Sequence, residues 1–366
     1  MKYDSKNFHC DTLFLITNKK GFEKRLIYIK SANKQKGITR MLQKERNLAD
    51  KSKSKYVRTA LIQIKRFKRE NPDSSDWLEF IIWFNNRKAE LCHSTWRNYK
   101  ASIAYYLKSQ DEHDLAYKVE TLSNDGTLHK SDKTTSIKKK SLTISEVEKI
   151  RESLKGMVNS SNSDTGKHLL AFFECIFAIG NRPTEIPSII YYEYCPEEFE
   201  GLPPVLRITN GKATNGRSFD EFRYIGISEL PEKTRLLIKY AVAIANNPVD
   251  PQGNPTSYDE FYTLLSRKYG AFIKSIFPKK KQLITLYTSR HQCIANMKNA
   301  GYSLAEIALV VGHGNDVTAS EHYGKKRYGV KVKLPKHNPK DLPKIKLVYS
   351  NKVLKLNKNK TLKVKQ

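Results

Sequence analysis

The chain has 366 residues, 39% hydrophobic and 28% charged, which is enough for two domains and a large core. Its formal charge of +29 points to a polyanionic partner: DNA, RNA or an anionic membrane surface. No run of about 18 apolar residues occurs, which excludes a spanning helix, and five scattered cysteines (Cys10, Cys92, Cys175, Cys195, Cys293) fit reduced thiols rather than a disulfide frame.

The first twenty residues carry too short an apolar patch and too many charges for a signal peptide. Residues 11–30 alternate apolar and polar around Asn18-Lys19-Lys20-Gly21, which predicts a β-hairpin within an N-terminal extension, 1–44. Residues 45–120 read as a helical domain. Val57, Leu61, Ile64 and Phe67 recur at helical spacing, with Arg58, Lys65 and Arg66 among them. Asp73-Ser-Ser-Asp76 opens a second helix. A third starts at the N-cap candidate Ser94 and sets Trp96, Ile103 and Tyr106 beside Arg97 and Lys100. The five cations make one basic face for DNA; the plainer reading is a solvated charge stripe.

Residues 121–141 are polar, end in three lysines and read as a linker. A second domain, 142–330, begins with Thr143 and Glu146 at capping-box spacing. The run 168–180 is apolar all round and predicts a buried helix. Strands follow over 204–210 and 221–227, then helices over 231–246, 256–276, 288–300 and 303–311. Beyond lies a tail, 331–366, with twelve lysines and one aspartate, expected to be mobile and without a core. The fold class expected is therefore α+β: mainly α with a small β-sheet.

Chemistry concentrates in two places. Gly180-Asn181-Arg182-Pro183-Thr184-Glu185 follows the buried helix. Tyr287-Thr288-Ser289-Arg290-His291 opens a later one, which leads through Val311-Gly312-His313 to Tyr323, ten residues on. Two guanidiniums neutralise a phosphate, a histidine hydrogen-bonds it, and a tyrosine attacks it. No zinc motif and no Gly-rich nucleotide loop occurs, so neither metal nor cofactor is expected.

In this order the motifs resemble the tyrosine recombinases, or phage-type integrases, over about 142–328. The resemblance implies a two-domain DNA clamp, with a helical core-binding domain ahead of the catalytic domain. It implies catalytic roles for Arg182, Arg290, His313 and Tyr323. Glu185 supports an arginine, and Lys212, in the turn between the two strands, protonates the leaving oxygen. The family's histidine is replaced here by Tyr287. Its ordinary pKa near 10 suits it to donate a hydrogen bond to the phosphate but not to shuttle a proton. The implied activity is metal-free and ATP-free cutting and rejoining of double-stranded DNA through a 3′-phosphotyrosine. It is carried out by a DNA-bound tetramer, without a membrane, in the cytoplasm (on the nucleoid in a prokaryote).

Competing readings are a type IB topoisomerase-like enzyme, a non-catalytic DNA-binding protein of the same fold, and an RNA-binding protein. Each residue has a plainer reading too: a salt bridge to Glu185 for Arg182, a solvated loop lysine for Lys212, a helix cap for His313, and packing for Tyr287. Tyr328 competes with Tyr323 as nucleophile.

Overall fold

The computed structural model describes residues 50–128, 138–160, 164–211 and 218–351. The chain divides into two compact units, Met1–Thr135 and Ser136–Gln366. The expected hairpin at 11–30 and the middle of the linker, 129–137, lie outside the described residues.

Among its described residues the first unit holds four α-helices: α1 (Asp50–Glu70), α2 (Trp77–Asn86), α3 (His93–Lys108) and α4 (His113–Thr121). On α1 the buried stripe is Ala60, Ile64 and Phe67, while Leu61 is 37% exposed. Ile64 and Phe67 fix the buried face, and one turn back from Ile64 lies position 60, not 61. Phe84 stacks on Trp96 with ring centroids 4.4 Å apart, joining α2 to α3 in a core with Phe80, Ile103 and Leu107. Burying each such side chain contributes about 1.5–3 kcal/mol. Asp76 caps α2 by accepting from the Leu78 N–H, as its place in the sequence predicts. The start of α3 differs from expectation. Its cap is Cys92, whose carbonyl accepts from Thr95 and Trp96, so Ser94 is already helical.

The second unit begins with α5 (Ile144–Ser160), where Thr143 and Glu146 exchange the two bonds of a capping box. Next comes α6 (Thr165–Ile179), buried on nearly every side and packed against α5, α7 (Glu232–Asn246) and α9 (Leu286–Asn299). The remaining helices are α8 (Tyr258–Ile276), α10 (Leu304–Val311) and α11 (Val317–His322). An antiparallel sheet runs in the order β1 (Ile190–Tyr192), β2 (Val205–Thr209), β3 (Phe222–Gly226), β4 (Lys336–His337). The protein is thus mainly α with a small sheet among the described residues.

The segment after 331 departs from the mobile tail expected of it. β4 pairs with β3, Leu334 and Ile345 are buried, and Ile345 packs against Ala305, Ala308 and Leu309 of α10. Lysines at every second to fourth place hide these few apolar anchors from a composition argument. Only 352–366 lies outside the described residues.

Candidate active site

Four elements of the second unit bring the site together. Helix α6 ends at Gly180, whose φ of +64° is the left-handed cap that glycine adopts without strain. The chain then passes Arg182 and enters a short turn that starts at Pro183 and contains Glu185. Arg290 lies one turn inside α9, not at its N-terminus. Helix α10 ends at Gly312, φ +70°, and delivers His313; α11 delivers Tyr323 at its C-terminal end.

Arg290 is fully buried and its guanidinium is the hub. One terminal nitrogen donates to the Gly180 carbonyl at 2.5 Å. The other donates to the Val311 carbonyl and lies 3.0 Å from His313 Nε2. Its Nε donates to the Tyr323 hydroxyl at 3.3 Å. Because a guanidinium only donates, His313 Nε2 is the acceptor and the neutral ring carries its proton on Nδ1. The Tyr323 hydroxyl is also 3.3 Å from His313 Nε2 and 3.3 Å from the Tyr287 hydroxyl. These contacts exceed the usual O–H···O range of about 2.5–3.0 Å, so the hydroxyl is surrounded but weakly held.

Glu185 organises the other side. One carboxylate oxygen accepts from Arg182 Nη1 (2.5 Å) and the Gly211 N–H (3.1 Å). The other accepts from the Arg182 N–H and Arg223 Nη2, both at 2.8 Å. Arg223, fully buried on β3, was not foreseen from the sequence. The signal was there: strand alternation puts Arg223 on the face of Ile225, so a charge occupies a core position.

Arg182, Arg223 and Arg290 against Glu185 leave a buried net charge of +2. A buried charge excess is costly unless an anion compensates it. Burial and then the fields of Arg290, Arg182 and Arg223 hold the His313 pKa well below the ordinary histidine value. For Glu185, burial raises the pKa, but Arg223, Arg290 and Arg182 outweigh it and keep the carboxylate ionised. For Tyr323, burial also raises the pKa; the charge of Arg290 with hydrogen bonds from Tyr287 and Arg290 brings the phenol below its usual range. Tyr287 goes the other way, pushed to about 12 mainly by burial, and stays a proton donor. The geometry therefore combines an acidified tyrosine, a neutral histidine acceptor and a cationic pocket.

No family model and no curated protein sequence matches the chain. Among solved structures it is similar to a lambda integrase dimer bound to a COC' core site, at 14% identity and TM-score 0.46, over 79% of this chain and 76% of that one. It is also similar to the XerH site-specific recombinase bound to a palindromic difH substrate (12% identity, TM-score 0.44, 72% and 74% covered). A third is the Tn1549 transposon integrase in complex with transposon right end DNA (14%, 0.46, 78% and 93%). All three TM-scores are below 0.5, so the functional reading rests on the geometry above.

The site thus brings together Arg182, Glu185, Tyr287, Arg290, His313 and Tyr323. Tyr328 stays outside it, 39% exposed, with its hydroxyl accepting from Arg327. His291 lies four residues after Tyr287, on the same face of α9. Its ring packs 4.8 Å from that of Tyr323, and burial with Arg290 and Lys140 holds its pKa at about 4. Lys212 lies outside the described residues. Of the cations assigned to DNA in the first unit, Arg58, Lys65 and Arg97 are exposed. Arg66 pairs with Glu70, and Lys100 donates to the Leu122 carbonyl and Asn124, bracing the chain after α4. No cluster of three or more His, Cys, Asp or Glu side chains able to hold a metal occurs among the described residues. None of their helices is long and apolar enough to cross a membrane.

Proposed function

We propose that this protein is a site-specific DNA recombinase that cleaves and rejoins duplex DNA through Tyr323. The observation that carries the reading is the Tyr323 hydroxyl held against a buried cluster of net charge +2, beside a neutral histidine acceptor. A scissile phosphate supplies the missing anion. Arg182 and Arg290 bind its non-bridging oxygens and stabilise the charge of the five-coordinate transition state. The Tyr323 oxygen forms a bond to phosphorus as the bond to the 5′ oxygen breaks. The phenolic proton passes to His313 Nε2, and the departing 5′ oxygen takes a proton from Lys212. The phosphate's charge offsets the arginine field, which raises the basicity of His313 when it is needed. Tyr287 acts on the nucleophile through its hydroxyl. The covalent ester retains the bond energy, so a second 5′-hydroxyl reverses the step without ATP. Exchange between two duplexes takes four such sites, hence a tetramer on DNA, with Arg58, Lys65, Arg66, Arg97 and Lys100 contributing to the grip on duplex DNA.

The test is incubation with duplexes tiled across the DNA flanking its own gene, in excess EDTA, followed by a denaturing gel. Wild type is expected to leave a covalent protein–DNA band; Tyr323→Phe binds DNA but gives no band, and Tyr328→Phe behaves as wild type. A band that survives Tyr323→Phe, or one that requires added magnesium, overturns the mechanism. DNA binding with no band from any protein favours the non-catalytic reading.

A further inference from the structure

Arg223 makes three directed bonds, and each leads to a different part of the site. Its Nη2 donates to Glu185 at 2.8 Å, on the oxygen opposite the one that holds Arg182 Nη1. Its Nε donates to the Val310 carbonyl at 2.9 Å, next to the Val311 carbonyl that Arg290 holds. Its Nη1 donates to Asn210 Oδ1 at 2.5 Å, and Asn210 in turn donates to the Asp220 carbonyl across the base of the β2–β3 hairpin. A second observation places the histidine turn directly on this pair. A Cβ at Gly312 would stand 2.2 Å from Asn210 Oδ1 and 2.8 Å from Arg223 Nη1.

We infer that Arg223 is a positioning residue for cleavage, holding Glu185 so that Arg182 faces the phosphate while it seats the turn that presents His313. The bonds of Arg223 go to Glu185, Asn210 and the Val310 carbonyl, not to Tyr323 or His313, so it acts through those groups. Without it, Glu185 keeps Arg182 as its single arginine partner. Both carboxylate oxygens are then drawn to that guanidinium, and less of its charge and fewer of its donors remain for a phosphate. A lysine in its place supplies the charge but not a planar fork with three directions.

This role rests on the function proposed above, and the experiment separates the two. Single-turnover cleavage is measured at saturating DNA for wild type, Arg223→Met, Arg223→Lys and Arg182→Ala. The duplex carries either the ordinary phosphodiester or a methylphosphonate at the scissile position mapped with wild type. A methylphosphonate has no negative charge to neutralise, so it relieves a defect in arginine placement but not a disordered fold. With the phosphodiester, Arg223→Met is expected to cleave about 10- to 100-fold more slowly, the effect of one or two hydrogen bonds to a charged group. Arg223→Lys is expected to recover part of the loss. DNA affinity and melting temperature stay near wild type for the lysine variant. With the methylphosphonate, the deficit of both Arg223 variants shrinks, as it does for Arg182→Ala. Equal deficits on the two substrates, or a lysine variant that loses DNA binding and melts early, overturn the positioning role alone. No covalent product from wild type overturns the proposed function and this role with it.

Discussion

The Tyr287 hydroxyl, which the sequence resemblance leads one to expect as a donor to a phosphate, also has a protein neighbour. It faces the Tyr323 hydroxyl at 3.3 Å. Its hydrogen bond helps lower the Tyr323 pKa, so Tyr287→Phe raises that pKa. The rising limb of cleavage rate against pH is then expected to move to higher pH. The rate near neutrality falls by about tenfold, the value of one modest hydrogen bond. A pH-rate curve that superimposes on the wild type would remove Tyr287 from the site. Because burial holds His291 at about 4, that ring should put no bend near pH 6.5 into either curve. Glu185 tests the network from its centre. Glu185→Gln removes the charge between two buried arginines and puts an amide donor where an acceptor is needed. It is expected to cost about 3–5 kcal/mol in denaturant unfolding. The side chains of the candidate site were legible because phosphoryl transfer calls for arginine, histidine and tyrosine, and these stand in order along the chain. Arg223 was not, because a lone arginine in a five-residue strand looks like a solvated edge until its buried register is known.

At the scale of elements, long periodic segments were readable and short ones were not. The helices expected over 231–246 and 303–311 are found at Glu232–Asn246 and Leu304–Val311, and the expected strands bracket Val205–Thr209 and Phe222–Gly226. β1 and β4, of three and two residues, carry no periodicity long enough to detect. They owe their existence to open edges on β2 and β3. The α10–His313 turn is the most demanding local structure, since Gly312 combines a left-handed φ with contact to Asn210. Gly312→Ala is expected to cost more than about 1 kcal/mol, as alanine at positive φ does even without a clash. It should slow cleavage as well, because His313 moves with the turn. Thermal unfolding and the adduct assay measure the two effects, and a silent Gly312→Ala would show that the turn tolerates displacement.

For the whole molecule, the charge of +29 has to be divided among the segments of the chain. Residues 352–366 hold six lysines and no acid. Deleting them is expected to weaken DNA binding and flatten its salt dependence, by about 0.9 in slope per lost phosphate contact, without changing the melting temperature. Deleting from 331 should instead lower the melting temperature, since Leu334, Ile345 and β4 go with it. Acid acts on the molecule as a whole too. Burial lowers the pKa of His168, His291, His313 and His337 in the folded state. The unfolded chain binds protons that these groups refuse. Their contribution is present in full above about pH 6.5 and is lost as pH falls below it, at up to about 1.4 kcal/mol per pH unit for each histidine. Melting temperatures at pH 7.5 and 5.0 should differ accordingly, and equal values would mean the rings find solvent at little cost.

The carboxylate of Asp316, one residue ahead of the helix that ends at Tyr323, is buried. It accepts from the backbone N–H groups of Tyr349 and Ser350 and from the Ser350 hydroxyl. In the order of synthesis those partners come after Tyr323 and every other residue of the candidate site. A nascent chain that has exposed Tyr323 but still holds residue 349 inside the ribosome lacks the anchor of α11, while the first unit has long been free to fold. Tyr323 is therefore anchored only once residue 350 has emerged, so the candidate nucleophile stays unassembled while the residues between are being made.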